Sequence, residues 1–500
     1  MDMSKLLKLG FLIGFLMASV ANLQAQGDLF PRIVNGLLTG DFPSTAAVLK
    51  DGNPDTAGVW CSATLIGCDT ILTAAHCVCD TVGANCQNGN AEDPNNVLVY
   101  LQHGGIYNVS EIIVHPGYRF PVADVALLKL SSPVEGIKPT LINTIRNVAF
   151  GTTGEIAGFG RTGGNNYDYG LKHYGEVETA RCAGGVSNTT SVCWNFSNPL
   201  GPPGEDSNTC NADSGGPLFV EYDGVQVVAG ITSGGASFNC LPSDNSYDTN
   251  VFNYQAWILD NGGSDVGQQS CGLLPVVGEP GATTTYNSGS LNFSNSDDLH
   301  SFEVPTDTQV LRIAMNAIDD GLSDYDLYVK AGEVATPSNY DCAREGSGQI
   351  GVCEFTNPQP GTWYASIQRV RGGGAYQLVS AAFAGEPVSN DVDLTVTAGQ
   401  DEVFPGEFLP LTINISNSTS SPVTMLLSAE QENPVGAIRP LIGPRQITVG
   451  PDSSLQRNVR VRIFQRVRSG QFKLHYYLQD LSGNPLDQET VVYTVLRPAG

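Results

Sequence analysis

Five hundred residues give room for about three domains with full cores. The balance is acidic, with 25 Lys plus Arg against 50 Asp plus Glu and a formal charge of −25. That excludes nucleic acid or an anionic membrane surface as partner, since both need clustered positive charge. Twelve cysteines, an even number, fit an oxidising compartment, and no CxxC pairs with a second CxxC or a histidine pair as a zinc site would require. Recurrent Val and Thr among 57 glycines and 29 prolines read as a β-rich chain with many turns.

Lys5 and Lys8 precede the apolar run Leu9 to Ala18, and small residues follow; residues 1–25 read as a secretory signal peptide. The run is too short for a comfortable membrane span and no later stretch qualifies, so no stable span is expected. Arg32-Ile33-Val34-Asn35-Gly36 comes next. Val48 to Ala75 alternates like strands with a turn between them. A polar insertion, Asp80 to Asn96, leads to a strand, tight turn and strand from Val97 through Val114. Thr73-Ala74-Ala75-His76-Cys77 supplies an imidazole. Asp124 heads the apolar run Val125-Ala126-Leu127-Leu128, where a carboxylate would be desolvated and suited to orient a histidine. His103, in the turn Gln102-His103-Gly104-Gly105, and His115, before Pro116, compete with His76 as base.

The most demanding stretch is Thr209-Cys210-Asn211-Ala212-Asp213-Ser214-Gly215-Gly216-Pro217. Its glycines permit a sharp turn and close approach of a substrate. The turn would hold the Ser214 hydroxyl outward and aim backbone N–H groups at one point, where a carbonyl oxygen gains charge. A bare hydroxyl is a poor nucleophile, so the loop needs a base elsewhere.

In this order, His76, Asp124 and Ser214 resemble the chymotrypsin-like (trypsin-family) serine peptidases, over roughly residues 33 to 262. The resemblance implies two six-stranded antiparallel β-barrels and a protein or peptide substrate, with no cofactor and no metal. It implies cleavage after Arg32, making 26–32 a short propeptide, with the freed Ile33 amine folding inward to pair with Asp213. The oxyanion would be received by the N–H groups of Ala212 and Ser214, and substrate by Asn208, Ser233 and Gly235. Disulfides implied in the same way are Cys61 with Cys77, Cys182 with Cys193, and Cys210 with Cys240. Cys79 with Cys86 would leave Cys68 for Cys271, but the pairing of these four cysteines stays open. The Gln102–Gly105 turn is too short for the calcium loop of some family members. Gly158-Phe159-Gly160-Arg161 parallels the family's Gly-Trp-Gly, and Val251 to Leu259 its closing helix.

Three departures stand out. Ala212 occupies a family glycine position, Gly234 replaces an aromatic and implies a wider subsite, and Asn208 stands where trypsins carry a pocket-floor Asp. Asp244 or Asp248 approaches that floor from the other wall on an ambiguous alignment.

Residues 263–282 read as a linker. Residues 283–383 resemble a bacterial pre-peptidase C-terminal domain, a small β-sandwich, through His300-Ser301-Phe302-Glu303-Val304-Pro305, Ser323 to Val329, and Pro360-Gly361-Thr362-Trp363-Tyr364, with Cys342 and Cys353 suited to its disulfide. Asp319, Asp320, Asp324 and Asp326 cluster either as calcium donors or as solvated turn acids. Residues 388–500 alternate at period two and read as an immunoglobulin-like sandwich. The linkers predict that both C-terminal units fold apart from the peptidase and are dispensable for cleavage, leaving them either for surface or polymer contact or for a role in maturation or secretion. The whole reads as an all-β, secreted serine endopeptidase activated at Arg32. The alternative is a catalytically impaired peptidase-like binding or adhesion protein, favoured only by Ala212.

Overall fold

The computed structural model describes residues 33–79, 91–197, 202–384, 392–419, 421–434, 438–464, 467, 469–479 and 485–496. The expected signal peptide, the propeptide with Arg32, Cys86 and the linker after Ala384 lie outside them.

Strands Thr45–Lys50, Gly58–Leu65, Thr70–Thr73, Ala126–Leu130, Gly105–Val114 and Val97–Leu101 pair in that order and close into a barrel. A second barrel closes through His173–Ala180, Ser191–Phe196, Asp244–Asn250, Val225–Gly235, Pro217–Tyr222 and Thr153–Gly158, the last pairing back to the first. Period-two burial is plain in His173–Ala180, where alternate residues are buried. The helix Val251–Gly262 closes this half by packing Val251, Tyr254 and Ile258 against the first barrel's core.

Val97–Leu101 does not alternate: all five residues are buried. Val97, Val99 and Leu101 face the barrel core, whereas Leu98 and Tyr100 join a second cluster with Leu49, Phe159, Ala314 and Ile350. The last two belong to the next domain. That domain is a sandwich of two four-stranded sheets, one containing Ala282–Leu291, Gly374–Ala384, Thr308–Ala317 and Ile350–Thr356. Its apolar face covers the outside of the first barrel, so the unit expected to fold apart from the peptidase is docked against it. The physical reason is that the barrel's outer wall is itself apolar and would otherwise lie in water.

The segment read as a linker is stapled down as well. Cys68 is bridged to Cys271, and Lys129 donates to Asp69 (2.9 Å), Asp265 (3.1 Å) and the Gly262 carbonyl (2.5 Å). The described residues between 392 and 496 form the final sandwich, a three-stranded sheet on a five-stranded one, around Leu411, Ile413, Met425, Leu474 and Tyr493.

Candidate active site

The two barrels bring together segments far apart in the chain. His76 lies in a short 3₁₀ turn, Ala75–Cys77, anchored by the Cys61–Cys77 disulfide. Its Nδ1 is 2.7 Å from Asp124 Oδ2, and its own N–H donates to Asp124 Oδ1 at 2.9 Å. Asp124 is fully buried and also accepts from Ser233 Oγ at 2.6 Å. A carboxylate held by three donors fixes the imidazole tautomer, leaving Nε2 as the free acceptor. Phe120 sets its ring edge-on to His76, centroids 5.6 Å apart.

Ser214 presents its backbone to the first barrel, its carbonyl accepting from Ser62 N at 2.8 Å. Glycine is required on both following positions. A Cβ on Gly215 (φ +83°) would lie 2.2 Å from Thr73 Oγ1, and one on Gly216 would lie 2.8 Å from two backbone carbonyls. Among the described residues, neither the Ala212 nor the Ser214 N–H is spent on another group.

Ala212 adopts φ +70°, the left-handed conformation that costs a non-glycine residue about 1–2 kcal/mol. Two side chains that sequence reasoning missed hold it there. Ser62 Oγ donates to the Ala212 carbonyl (2.9 Å) while accepting from Phe159 N (2.9 Å). Arg161 holds Asn211 from both ends: its N–H meets the Asn211 carbonyl at 3.0 Å, and its guanidinium donates to Asn211 Oδ1 at 2.8 and 3.0 Å. The 211–212 peptide is thereby oriented with its N–H free.

Asp213 is buried beneath this loop and accepts from Cys210 N (2.9 Å) and Gly160 N (2.8 Å). Burial pushes its pKa up to about 7 despite those two N–H donors. Ile33 is fully buried in the second barrel's core with Ile156, Trp194 and Leu218, and Val34 pairs in both directions with Asn208 (2.8 and 3.0 Å).

At the expected pocket floor the Asn208 side chain is fully engaged. Its Oδ1 accepts from Trp194 Nε1 (3.1 Å) and Ser246 Oγ (2.6 Å), and its Nδ2 donates to Asp244 Oδ2 (3.0 Å) and the Cys240 carbonyl (3.1 Å). Asp244 is the carboxylate that reaches this wall: its Oδ2 lies 2.9 Å from where a Gly235 Cβ would stand. Asp248 is instead buried in the second barrel, and burial raises its pKa well above the ordinary value. Ser233, expected to face substrate, turns its hydroxyl to Asp124. Gly234 does not open a wide subsite, because the Tyr247 hydroxyl lies 2.7 Å from where its Cβ would be.

The competing histidines have other fates. His103 is buried, and desolvation with the nearby Lys172 charge pushes its pKa down to about 3. His115 packs against Tyr254 and Trp257 and accepts from Gly117 N at 3.0 Å. Cys182–Cys193, Cys210–Cys240 and Cys342–Cys353 are bonded, as is Cys68–Cys271. The acids considered for calcium diverge: Asp319 accepts from Val59 N (2.8 Å), Asp320 caps Leu322 and Ser323, and Asp326 meets the Tyr328 hydroxyl.

Residues 38–258 match the family described as Trypsin, and residues 296–369 match the bacterial pre-peptidase C-terminal domain. The chain is 30% identical to trypsin of Phaedon cochleariae over 219 residues, which are 40% of this chain and 77% of the relative. It is 29% identical to fibrinolytic enzyme, isozyme C, of Lumbricus rubellus over 251 residues, covering 44% of this chain and 96% of the relative. Similarity to vitamin K-dependent protein C of Rattus norvegicus is 28% over 260 residues, 46% of this chain but only 52% of that protein.

Proposed function

The chain belongs to the trypsin family of serine-type endopeptidases, and on that premise we propose that Ser214, His76 and Asp124 are its catalytic triad. The observation that carries the assignment is the buried Asp124 held 2.7 Å from His76 Nδ1 beside two unspent N–H groups. Ser214 Oγ attacks the peptide carbonyl as His76 Nε2 takes its proton. The tetrahedral oxyanion is received by the Ala212 and Ser214 N–H groups, and the imidazolium is stabilised by Asp124. His76 then protonates the leaving amine; water, deprotonated by the same imidazole, releases the acyl group. A fluorophosphonate probe labels Ser214 in the mature wild type and leaves Ser214→Ala unlabelled. Equal labelling of both proteins sinks the assignment.

The substrate side chain entering the pocket is a basic one, bound by Asp244 rather than by Asn208. Asp244→Asn removes the only carboxylate described at that wall. The expected loss is about 100-fold or more in kcat/KM after Arg and Lys, as for an uncompensated buried charge. An unchanged cleavage preference in a peptide-library digest overturns this assignment. The protein is secreted through removal of residues 1–25 and matures by cleavage after Arg32. Its five described disulfides suit that route. Among the described residues no helix is long and apolar enough to cross a membrane.

A further inference from the structure

We infer that the sandwich Ala282–Ala384 is a working part of the peptidase, and that its Gln377 and Asn316 are positioning residues for the oxyanion loop. The inference rests on the reaction proposed above. Strand Gly374–Ala384 is apolar and buried almost throughout, yet it carries a fully buried glutamine, Gln377, as its fourth residue. Gln377 reads the backbone of Lys172 like a paired strand: Oε1 accepts from Lys172 N (2.7 Å) and Nε2 donates to Lys172 O (2.9 Å). Asn316, also fully buried, donates to Gln377 Oε1 (2.7 Å) and to the Gly170 carbonyl (2.8 Å). A third sandwich contact, Asp319 N to the Tyr169 carbonyl at 2.8 Å, completes the grip on residues 169–172.

That gripped segment leads directly to the catalytic loop. Gly170 N donates to the Phe159 carbonyl at 3.0 Å. Phe159 N donates to Ser62 Oγ, which donates to the Ala212 carbonyl, and Gly160 N donates to Asp213. The Phe159 ring is held in the apolar seam with Tyr100, Ala314 and Ile350. Residues 159 and 160 are therefore pinned between the sandwich on one side and the oxyanion loop on the other. Buried amides spent on another domain's backbone give one register and no other, since any slip leaves them unsatisfied. A sandwich used only for attachment elsewhere has no need of such a seam.

The test uses the full mature protein. Gln377→Ala is expected to lower kcat about tenfold on a small peptide substrate with KM nearly unchanged, the pattern of a lost transition-state interaction. Amide exchange at Phe159–Arg161 and Cys210–Gly215 should rise at least tenfold in the same variant. Asn316→Ala is the milder cut, with the same expectations if Gln377→Ala is not recovered folded. Leu327→Ala is the control: Leu327 is buried in the sandwich's own core, away from the seam, so it should lower the thermal midpoint without touching kcat or loop exchange. Unchanged kcat and exchange in the seam variants overturns the inference. So does an equal loss of kcat in Leu327→Ala. A mature wild type that hydrolyses no peptide refutes the reaction instead, and loop exchange alone then decides the positioning role.

Discussion

Arg32→Gln is expected to leave a chain with His76, Asp124 and Ser214 intact and almost no activity. The magnitude comes from Asp213. With two backbone N–H donors and no counter-charge, its carboxyl is pushed by burial to a pKa of about 7 against an ordinary 3.8. Ionising it at pH 8 therefore costs on the order of 4 kcal/mol, at about 1.4 kcal/mol per pH unit. The sign follows from the upward shift: the penalty is absent below about pH 4, grows as pH rises to about 7, and is constant above. A penalty of that size is comparable to a sizeable part of a domain's stability, so the loop opens rather than bury the charge. An amine freed at Ile33 offsets the penalty while it is protonated. The mature enzyme should accordingly keep its activity through neutral pH and lose it as pH rises through the pKa of that amine, above the ordinary value of about 8. The assay is peptide hydrolysis at pH 8 on wild type and Arg32→Gln, each with N-terminal sequencing. A fully active Arg32→Gln protein that still begins upstream of Ile33 refutes the reasoning.

Other perturbations test the loop and the triad separately. Ala212→Gly relieves about 1–2 kcal/mol of left-handed strain and returns about 0.5–1 kcal/mol as glycine's extra freedom in the unfolded chain. A slightly higher thermal midpoint with kcat equal or raised is expected; a clear fall in the midpoint contradicts the strain. Ser233→Ala removes a donor from the buried Asp124, a charge-assisted bond worth about 1.5–3 kcal/mol. The expected result is a kcat lowered about tenfold or more at constant KM on a small ester, and an unchanged kcat would show that Asp124 needs no such brace.

The residues proposed as the triad stand out in the sequence because each sits in a local backbone that tolerates few alternatives. The glycines after Ser214 are required by clashes with Thr73 and with backbone carbonyls, and His76 and Asp124 stand at the ends of short, apolar strand segments. The two barrels were expected from the resemblance those residues carry, while period-two alternation pointed only to individual strands. What only the tertiary structure decided is which side chains meet across long separations. Asp244 and Asp248 differ by four positions and look alike in the chain; the bonds to Asn208 and the depth of the second barrel separate them. The contacts of Ser62 with the Ala212 carbonyl, of Arg161 with Asn211 and of Ser233 with Asp124 could not be read from the stretches that hold these residues, since a side chain reaching a distant group leaves no periodic trace. The docked sandwich left one signal, the unbroken apolar run Val97-Leu98-Val99-Tyr100-Leu101, which requires cover on both faces of its strand. Local periodicity states that a face must be buried; which partner buries it is settled by the packing of the whole chain.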